Sequence, residues 1–396
     1  MSFWVGCSAQ EIQENPVKLG AEVLLDQHLS ELKGKRVGLL MNPSSRVDGT
    51  HMVDTLRNLG VNITALYAAE HGFRGEAGAG EKIEDGIDIQ TGLPVYSLYG
   101  STRKPTPEML ENVDVVLLDL PDMGLRFYTY NSTMGLMLEA ISEQEKELWI
   151  LDRPNPLGGS YVAGWMLREK YKSFVGSYPI PIAYGLTMGE MARLIVGEEY
   201  LKLDQKPGFK VIETKGWKRN MMWPETGLGW IPPSPNLPTF EHLYAYAGTV
   251  IFEGTNLSEG RGTEDPFLNI GSPTFQVPGS VLDSLSRVHN VKLSSKTFSP
   301  ESKPGVAAFP KLEGEKCHGI RISFNGNYLK TDPLKLGIDL LKLAKKYDPN
   351  FKMHPFANNL WGIDIKGILD ANQTIPDWEK DVLEFNEIRE KYLIYE

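Results

Sequence analysis

The sequence has little cysteine, no long hydrophobic run and no excess of positive charge. Cys7 and Cys317 are the only two cysteines in 396 residues, too few for a disulfide framework or a metal site built from cysteine. The formal net charge of −10 argues against nucleic acid or an anionic membrane as a partner, because no broad basic surface is available to neutralise phosphates. No segment reaches the roughly 18 uncharged apolar residues that a membrane-spanning helix needs.

Signatures of several cofactors and catalytic motifs are missing as well. No Gly-x-Gly-x-x-Gly turn follows the first strand and there is no Gly-Lys-Ser/Thr phosphate loop, so neither a dinucleotide nor a nucleoside triphosphate is favoured. A Gly-x-Ser-x-Gly elbow and a His-Glu-x-x-His helix are also absent. Histidines without metal-ligand spacing stand at His51, His242, His289, His318 and His354. We therefore expect no cofactor and no metal.

The first 18 residues differ from the rest of the chain. The segment Val5-Gly6-Cys7-Ser8 resembles the cleavage site of a bacterial lipoprotein, although the apolar run before it is too short for a signal peptide and lacks a basic start. Residues 1–18 are predicted to be either a truncated leader, which we favour, or a disordered terminus. A leader would place the protein in the periplasm or on a lipid anchor, and the cytoplasm is the alternative.

From Leu19 the sequence alternates strand and helix patterns. The clearest strand is the apolar run Val113–Leu120, which is typical of a parallel strand covered on both faces. Further strands are predicted over Lys35–Met41, Ile63–Ala69, Leu93–Tyr99 and Glu147–Leu151, and helices over Gly20–Leu32, Asp48–Leu59, Pro107–Glu111, Thr129–Gln144 and Met188–Leu201. Alternation with short connections predicts right-handed βαβ units in an α/β, Rossmann-like, doubly wound and mostly parallel sheet.

A second domain is predicted where the composition changes near Asp204. Residues 19–203 form the predicted Rossmann-like catalytic domain, and residues 204–396 a C-terminal mixed α/β auxiliary domain that closes the cleft, with its ordered part beginning at Phe209–Glu213. In this part we predict helices over Phe240–Ala247, Leu334–Tyr347 and Trp378–Tyr392, and strands over Thr249–Glu253 and Gly319–Asn325.

Polar residues recur where the predicted strands end. Because parallel strands deliver their carboxyl ends to one edge of the sheet, a common crevice is expected to contain Asn42, Glu70, His71, Asp119, Asp122, Asp152 and Asn155. The pair Glu70-His71 is interpreted as an acid beside an imidazole that orients it or the substrate. A turn that caps nearby amides is the alternative. The glycines that flank Arg74 favour the first interpretation, since they permit close approach of a ligand.

Three other stretches contain candidate catalytic or substrate-binding residues. Asp119 and Asp122 could supply a second carboxylate, although a helix cap is favoured for Asp122. A cation and two phenols, those of Arg126, Tyr128 and Tyr130, are interpreted as a binding site for an anionic sugar substituent. The alternative is that the tyrosines only pack in the wall of the crevice. The loop from Asn256 to Glu264 is interpreted as a ligand clamp rather than a solvated turn.

Five stretches together resemble the bacterial exo-β-N-acetylmuramidases, a family long described as a domain of unknown function. They are Glu70–Gly75, Arg126–Tyr130, Asp152–Gly159, Pro232–Pro238 and Glu253–Thr263. The resemblance extends over nearly the whole chain from Leu19. It implies a Rossmann-like catalytic domain, an auxiliary domain and a cleft between them. It also implies removal of N-acetylmuramic acid from the non-reducing end of peptidoglycan fragments, without metal or nucleotide.

The resemblance assigns roles to individual residues. It makes Glu70 the catalytic acid with His71 beside it, while the second group is left open among Asp119, Asp122, Glu259 and the acetamido oxygen of the substrate. The lactyl carboxylate would pair with Arg126, Arg153 or Arg261. The remaining expected substrate contacts are Asn42, Arg74, Tyr128, Tyr130, Asn155 and Asn256. A periplasmic sugar-binding or muropeptide-binding protein without turnover is the main alternative, and an esterase or amidase acting on the same fragments is the weaker one.

Overall fold

The structure is a computed structural model that describes residues 17–75, 84–203, 205–326 and 328–396. Cys7 and nearly all of the predicted leader therefore lie outside the described residues, as does the second half of the glycine-rich loop after Gly75. In the described ranges, no helix has both the length and the apolar character needed to cross a membrane.

A seven-stranded sheet forms the centre of the first domain. In chain order its strands are β1 Val37–Met41, β2 Ile63–Ala68, β3 Gly86–Ile87, β4 Pro94–Ser97, β5 Val115–Asp119, β6 Glu147–Leu151 and β7 Gly208–Ile212. They are arranged in the order β7-β6-β5-β1-β2-β4-β3, and all pairs are parallel except that of β3 with β4. Hydrophobic clusters cover both faces, which explains why β5 is apolar from Val115 to Leu118.

The strand order confirms the doubly wound fold. The chain proceeds from β1 outward through β2 and β4, then returns to the other side of β1 and continues through β5, β6 and β7. The strand order therefore reverses between β1 and β5, where such sheets usually bind ligands. The assignment of the segment Phe209–Glu213 to the second domain does not agree with the sheet, which includes Gly208–Ile212 as a strand. This strand is β7, whose Phe209 pairs with Leu148 of β6, so the change of composition before it marks a loop and not the end of the sheet.

The helices of the first domain cover the sheet. They are α1 Met52–Asn58, α2 Tyr130–Glu143 and α3 Met188–Gly197, with shorter helical segments at Gly20–Val23, Leu24–His28, Leu29–Leu32, Pro107–Leu110 and Glu169–Tyr171. A capping box formed by Thr187 and Glu190 begins α3. The predicted start of α1 at Asp48 was wrong: Asp48-Gly49 forms the turn of a small hairpin, a role this dipeptide suits. His51 is the cap instead.

The second domain contains a three-stranded antiparallel sheet and most of the remaining helices. Its strands are β8 Asn269–Ser272, β9 Lys292–Phe298 and β10 Cys317–Ser323, in the order β8-β10-β9. Its helices are α4 Phe240–Thr249, α5 Gly279–His289, α6 Pro333–Tyr347, α7 Phe356–Trp361, α8 Ile365–Asp370 and α9 Glu379–Arg389, and single turns lie at Trp223–Glu225, Val250–Gly254, Tyr328–Lys330 and Glu390–Tyr392.

The predicted strand over Thr249–Glu253 was wrong. Helix α4 continues to Thr249, and a 3₁₀ turn occupies Val250–Gly254. The run is apolar because the end of α4 and this turn are buried, and a short apolar run does not distinguish a strand from a buried helix. The turn matters for the site, since it brings Glu253 to the junction of the domains.

One hydrophobic cluster extends through both domains, from β1 and β5 to α6 and α9. The end of the chain returns to the first domain, where Asp381 of α9 forms an ion pair with Arg168 at 2.8 Å. The cleft between the domains is consequently lined by side chains from both.

Candidate active site

A tight turn after β2 presents Glu70. Strand β2 ends at Ala68, and the backbone then enters the left-handed region, with φ of 74° at His71 and 81° at Gly72. The N–H of Gly72 donates to the carbonyl oxygen of Ala69 at 3.1 Å. A positive φ at a residue other than glycine costs about 1–2 kcal/mol, and such strain is concentrated at functional sites. The turn directs the chain away from the sheet at its carboxyl edge.

Hydroxyl groups from two other segments hold Glu70. Thr129 Oγ1 donates to Glu70 Oε2 at 2.9 Å, and Tyr130 Oη donates to the carbonyl oxygen of Glu70 at 3.0 Å. The phenol of Tyr99 lies beside the same carboxylate. Burial, followed by the charge and hydrogen bonding of Glu70, raises the pKa of Tyr99, so this phenol remains a donor. The position of Glu70 is therefore fixed by both its side chain and its backbone.

Glu70 opens into a cleft of about 710 Å³ between the domains. The first domain contributes Glu70, Tyr99 and Thr129 to the lining, and apolar residues at the rim include Phe309 and Phe356. The side chain of Phe309 is almost fully exposed. The space suits a sugar ring, whose apolar face packs on aromatic groups and whose hydroxyls need polar partners.

The second domain lines the opposite wall with a charged cluster of Glu253, Glu259, Arg261 and Lys311. Arg261 Nη2 lies 2.8 Å from Glu253 Oε1, and Arg261 Nε lies 3.6 Å from Glu259 Oε1. Lys311 Nζ lies 2.7 Å from Glu259 Oε2. Burial raises the pKa of Glu253, and the charge of Arg261 opposes this effect. Carboxyl groups thus stand on both sides of the cleft.

The strand ends do not meet in one crevice as expected. A second hollow of about 230 Å³ lies over the ends of β1, β5 and β6, lined by Asp122, Arg153, Trp223 and Trp230 among others. Asn42 lies between the two hollows, because its Nδ2 donates to Tyr130 Oη at 2.9 Å and to the carbonyl oxygen of Pro233 at 3.3 Å.

Asp119 and Asp122 do not line the cleft that contains Glu70. Asp119 is fully buried and forms a bidentate ion pair with Arg153, with contacts of 2.5 and 3.0 Å. Asp122 accepts from the N–H of Gly124 and from Tyr184 Oη. The structure therefore does not bring either carboxylate into the cleft with Glu70.

Two of the proposed substrate-binding arginines also have structural roles. Arg126 is fully buried and donates to the carbonyl oxygens of Trp165, Ile180 and Leu360 at 2.7–3.2 Å. Arg74 binds Asp54 and Asp88 through bidentate contacts of 2.6–3.1 Å. Arg153 is held by Asp119, so Arg261 is the one of the three proposed lactyl-binding arginines that lines the Glu70 cleft.

The remaining predicted contacts support the wall from behind. Tyr130 is fully buried, and the ring of Tyr128 packs edge-on against it at 4.9 Å. Asn155 is buried and donates to the carbonyl oxygen of Leu186 at 3.0 Å. Asn256 fixes a loop contact by donating to Asn350 O at 2.9 Å and accepting from Lys352 N at 2.6 Å. His71 is buried within its turn.

Sequence reasoning missed Tyr99, Thr129, Tyr246, Glu253 and Lys311 as cleft residues. Thr129 lies within the stretch Arg126–Tyr130, and Glu253 begins the stretch Glu253–Thr263. Their positions within these motifs could therefore have identified both as candidate cleft residues. The other three lie outside the motifs. For the part of the chain that the structure describes, no group of three His, Cys, Asp or Glu side chains is arranged to hold a metal ion.

A two-domain α/β fold with carboxyl groups on facing walls of a sugar-sized cleft is the arrangement of a glycoside hydrolase. Comparison with known proteins leads to the same class of enzyme. Residues 37–241 match the model of the N-terminal domain of the exo-β-N-acetylmuramidase NamZ, and residues 244–395 match that of its C-terminal domain. The chain therefore belongs to the exo-β-N-acetylmuramidase family, a family of glycoside hydrolases, and the resemblance seen in the sequence is confirmed.

Relatives match along nearly their whole length. The peptidoglycan β-N-acetylmuramidase NamZ of Bacillus subtilis (strain 168) is 39% identical over 98% of this chain and 93% of its own. Two crystal structures of DUF1343 family proteins from Bacteroides fragilis NCTC 9343 are also similar. One has a TM-score of 0.85 at 34% identity, covering 97% of this chain and 100% of its own. The other has a TM-score of 0.78 at 33% identity, covering 96% and 99%.

Proposed function

We propose that this protein is an exo-acting glycoside hydrolase that releases N-acetylmuramic acid from the non-reducing end of peptidoglycan fragments, with Glu70 as the general acid. The observation that carries the proposal is the position of Glu70 in the cleft, opposite the charged cluster of the second domain. The substrate class follows from the family and from the names of its relatives.

The surroundings of Glu70 support the role of an acid. Cleavage of a glycosidic bond requires a carboxylic acid that protonates the leaving oxygen. Thr129 Oγ1 fixes one oxygen of the carboxyl group at 2.9 Å. Because Tyr130 anchors the backbone of the same residue at 3.0 Å, the carboxyl group is positioned before the substrate arrives, which reduces the entropic cost of reaching the transition state.

Arg261 supports the choice of an acidic sugar. Its guanidinium group lies 4.9 Å over the ring of Phe267 and contacts Glu253 and Glu259 through Nη2 and Nε. Within the described residues, Nη1 has no hydrogen-bond partner. A planar guanidinium suits a carboxylate, so we assign the lactyl carboxylate of N-acetylmuramic acid to this group.

The test is the hydrolysis of a disaccharide of N-acetylmuramic acid and N-acetylglucosamine by the wild type and by Glu70→Gln. We expect the wild type to release free N-acetylmuramic acid and the variant to lose a factor of about 10²–10⁴ in kcat, the usual contribution of general acid catalysis. Glu313→Gln, a change at an exposed site, is the matched control. Recovery of intact disaccharide that the wild type nevertheless binds would support a binding protein instead.

A further inference from the structure

Among the residues that the structure describes, the carboxyl groups of Glu253 and Glu259 line the cleft besides that of Glu70. Hydrolysis requires a second group that activates water or stabilises the sugar cation, and neither Asp119 nor Asp122 lines this cleft. The choice within the cleft rests on which carboxylate has an oxygen available. This inference depends on the proposed function, because it assigns a further residue to the same reaction.

Glu259 is almost fully buried beside two cations. Only 3% of its side chain is exposed, and its two oxygens face Lys311 Nζ at 2.7 Å and Arg261 Nε at 3.6 Å. Lys311 Nζ also donates to the carbonyl oxygens of Phe252 at 2.5 Å and Thr255 at 3.1 Å. Glu259 therefore pairs electrostatically with Lys311 and Arg261, and its burial leaves little access for a water molecule that would give up a proton to it.

Glu253 has the accessible oxygen. Its side chain is 23% exposed, and Oε1 accepts from Arg261 Nη2 at 2.8 Å. Its Oε2 has no partner among the residues that the structure describes. The 3₁₀ turn Val250–Gly254 that carries it is fixed by the hydrogen bond of Lys311 to Phe252 and by that of Thr255 N to Phe252 O at 3.0 Å. The carboxylate is thus presented to the cleft by a rigid segment.

Glu70 and Glu253 line the same cleft together with the phenols of Tyr99 and Tyr246. The charges of both carboxylates act on Tyr99 and on Tyr246, and each raises the pKa of these phenols in addition to the larger effect of burial. Glu70 belongs to the first domain and Glu253 to the second, and both line the same cleft. A sugar bound between these walls would have one carboxyl group on each side.

We propose that Glu253 is the general base of this reaction. Its Oε2 takes a proton from a water molecule while the water oxygen forms a bond to the anomeric carbon. The bond from that carbon to the leaving oxygen breaks at the same time, and the proton of Glu70 passes to the leaving oxygen. Atoms and charges balance, since one proton leaves Glu70 and one arrives at Glu253. A single displacement of this kind inverts the anomeric configuration, so a β-linked substrate yields the α-anomer.

The test combines product stereochemistry with two variants. Proton NMR of the wild-type reaction should show α-N-acetylmuramic acid as the first product. Glu253→Ala should lose a factor of about 10²–10⁴ in kcat on the disaccharide and on an aryl glycoside alike, because a better leaving group does not activate water. Azide should restore turnover of this variant and give the α-glycosyl azide. Glu70→Gln should show the opposite pattern, with activity recovered on the aryl glycoside.

Glu253→Gln keeps the shape of the side chain, so it serves as a second variant in case Glu253→Ala fails to fold. It should remove the acidic limb of the pH profile of kcat/KM while binding of N-acetylmuramic acid is retained. First release of the β-anomer, or wild-type turnover in both Glu253 variants, would overturn the assignment. If the wild type releases no N-acetylmuramic acid at all, the proposed function itself fails. If the wild type is active and only the Glu70 variant is impaired, the role of Glu253 alone is refuted.

Discussion

Asp122 illustrates how a buried carboxyl group at a strand end affects the molecule without touching substrate. Burial raises the pKa of Asp122 to about 6, and hydrogen bonds from Tyr184, Gly124 and Met123 oppose the rise. The ordinary value is 3.8, so between these two values the folded state binds more protons than the unfolded state. The stabilisation is present below pH 3.8 and is lost as the pH rises through about 6.

Asp122→Asn should therefore reduce the pH dependence of stability. A shift of about two pKa units corresponds to roughly 3 kcal/mol, and we expect the free energy of unfolding of the variant to fall less between pH 4 and pH 7 than that of the wild type. Urea denaturation at a series of pH values measures this. Asp114→Asn is the control, because Arg36 lowers the pKa of Asp114 to about 2, outside this window. An unchanged slope in the Asp122 variant would contradict the prediction.

The candidate site residues show how far single functional residues can be identified from the sequence. Residue type and strand-end position identified Glu70, and the clamp loop identified Arg261. The same criteria selected Arg126 and Asp119, whose partners are carbonyl groups or Arg153. Buried polar groups require partners, so a charged residue at a strand end is as easily structural as catalytic. The sequence identifies the charged residue but not the distant group that forms a hydrogen bond or ion pair with it.

At the scale of elements, the packing of α4 against α6 sets the position of Glu253. The two backbones touch, because a Cβ atom on Gly337 would lie 2.3 Å from the carbonyl oxygen of Gly248. Helix α4 leads directly into the turn Val250–Gly254 that carries Glu253. A change in the separation of these helices should consequently move one wall of the cleft.

Gly337→Ala should force the helices apart and destabilise the protein by about 1–3 kcal/mol, the usual cost of overpacking. We also expect kcat to fall several-fold while Glu70 and its contacts remain intact. Urea denaturation and the disaccharide assay measure the two effects. The matched control is Gly279→Ala in α5, where an added Cβ atom meets nothing within 4 Å. Equal stability of the two variants would contradict the prediction, because it would show that α4 and α6 can accommodate an added Cβ atom at Gly337.

Elements were predicted well where the pattern was long and poorly where it was short. The five long strand patterns of the first domain were found because continuous apolar runs identify buried parallel strands. The run at Thr249–Glu253 was assigned to a strand because its short apolar stretch, Val250–Phe252, fits either structure. Tyr246 and Lys311 were missed for another reason: they reach the cleft only through the approach of the second domain, a contact that no local pattern encodes.

At the scale of the whole molecule, the end of the chain ties the second domain to the first. Tyr395 Oη donates to Asp152 Oδ2 at 2.6 Å, and its ring packs edge-on against Trp217 at 5.2 Å. Ile394 N donates to the buried Glu190 at 2.8 Å. Burial raises the pKa of Asp152 to about 6, and the hydrogen bond from Tyr395 is the largest of the effects that oppose this rise.

Tyr395→Phe should therefore weaken the entire molecule rather than one domain. Loss of a hydrogen bond to a buried carboxylate costs about 1–3 kcal/mol. Because a single hydrophobic cluster joins the domains, we expect one calorimetric transition that moves to lower temperature as a unit. Tyr347→Phe is the control, since within the described part of the chain the hydroxyl of Tyr347 makes no hydrogen bond. The destabilisation should be larger at pH 8 than at pH 4, where Asp152 is protonated and the missing donor matters less. Two separate transitions, with only one displaced, would mean that the domains unfold independently and that the cleft is free to open without loss of either core.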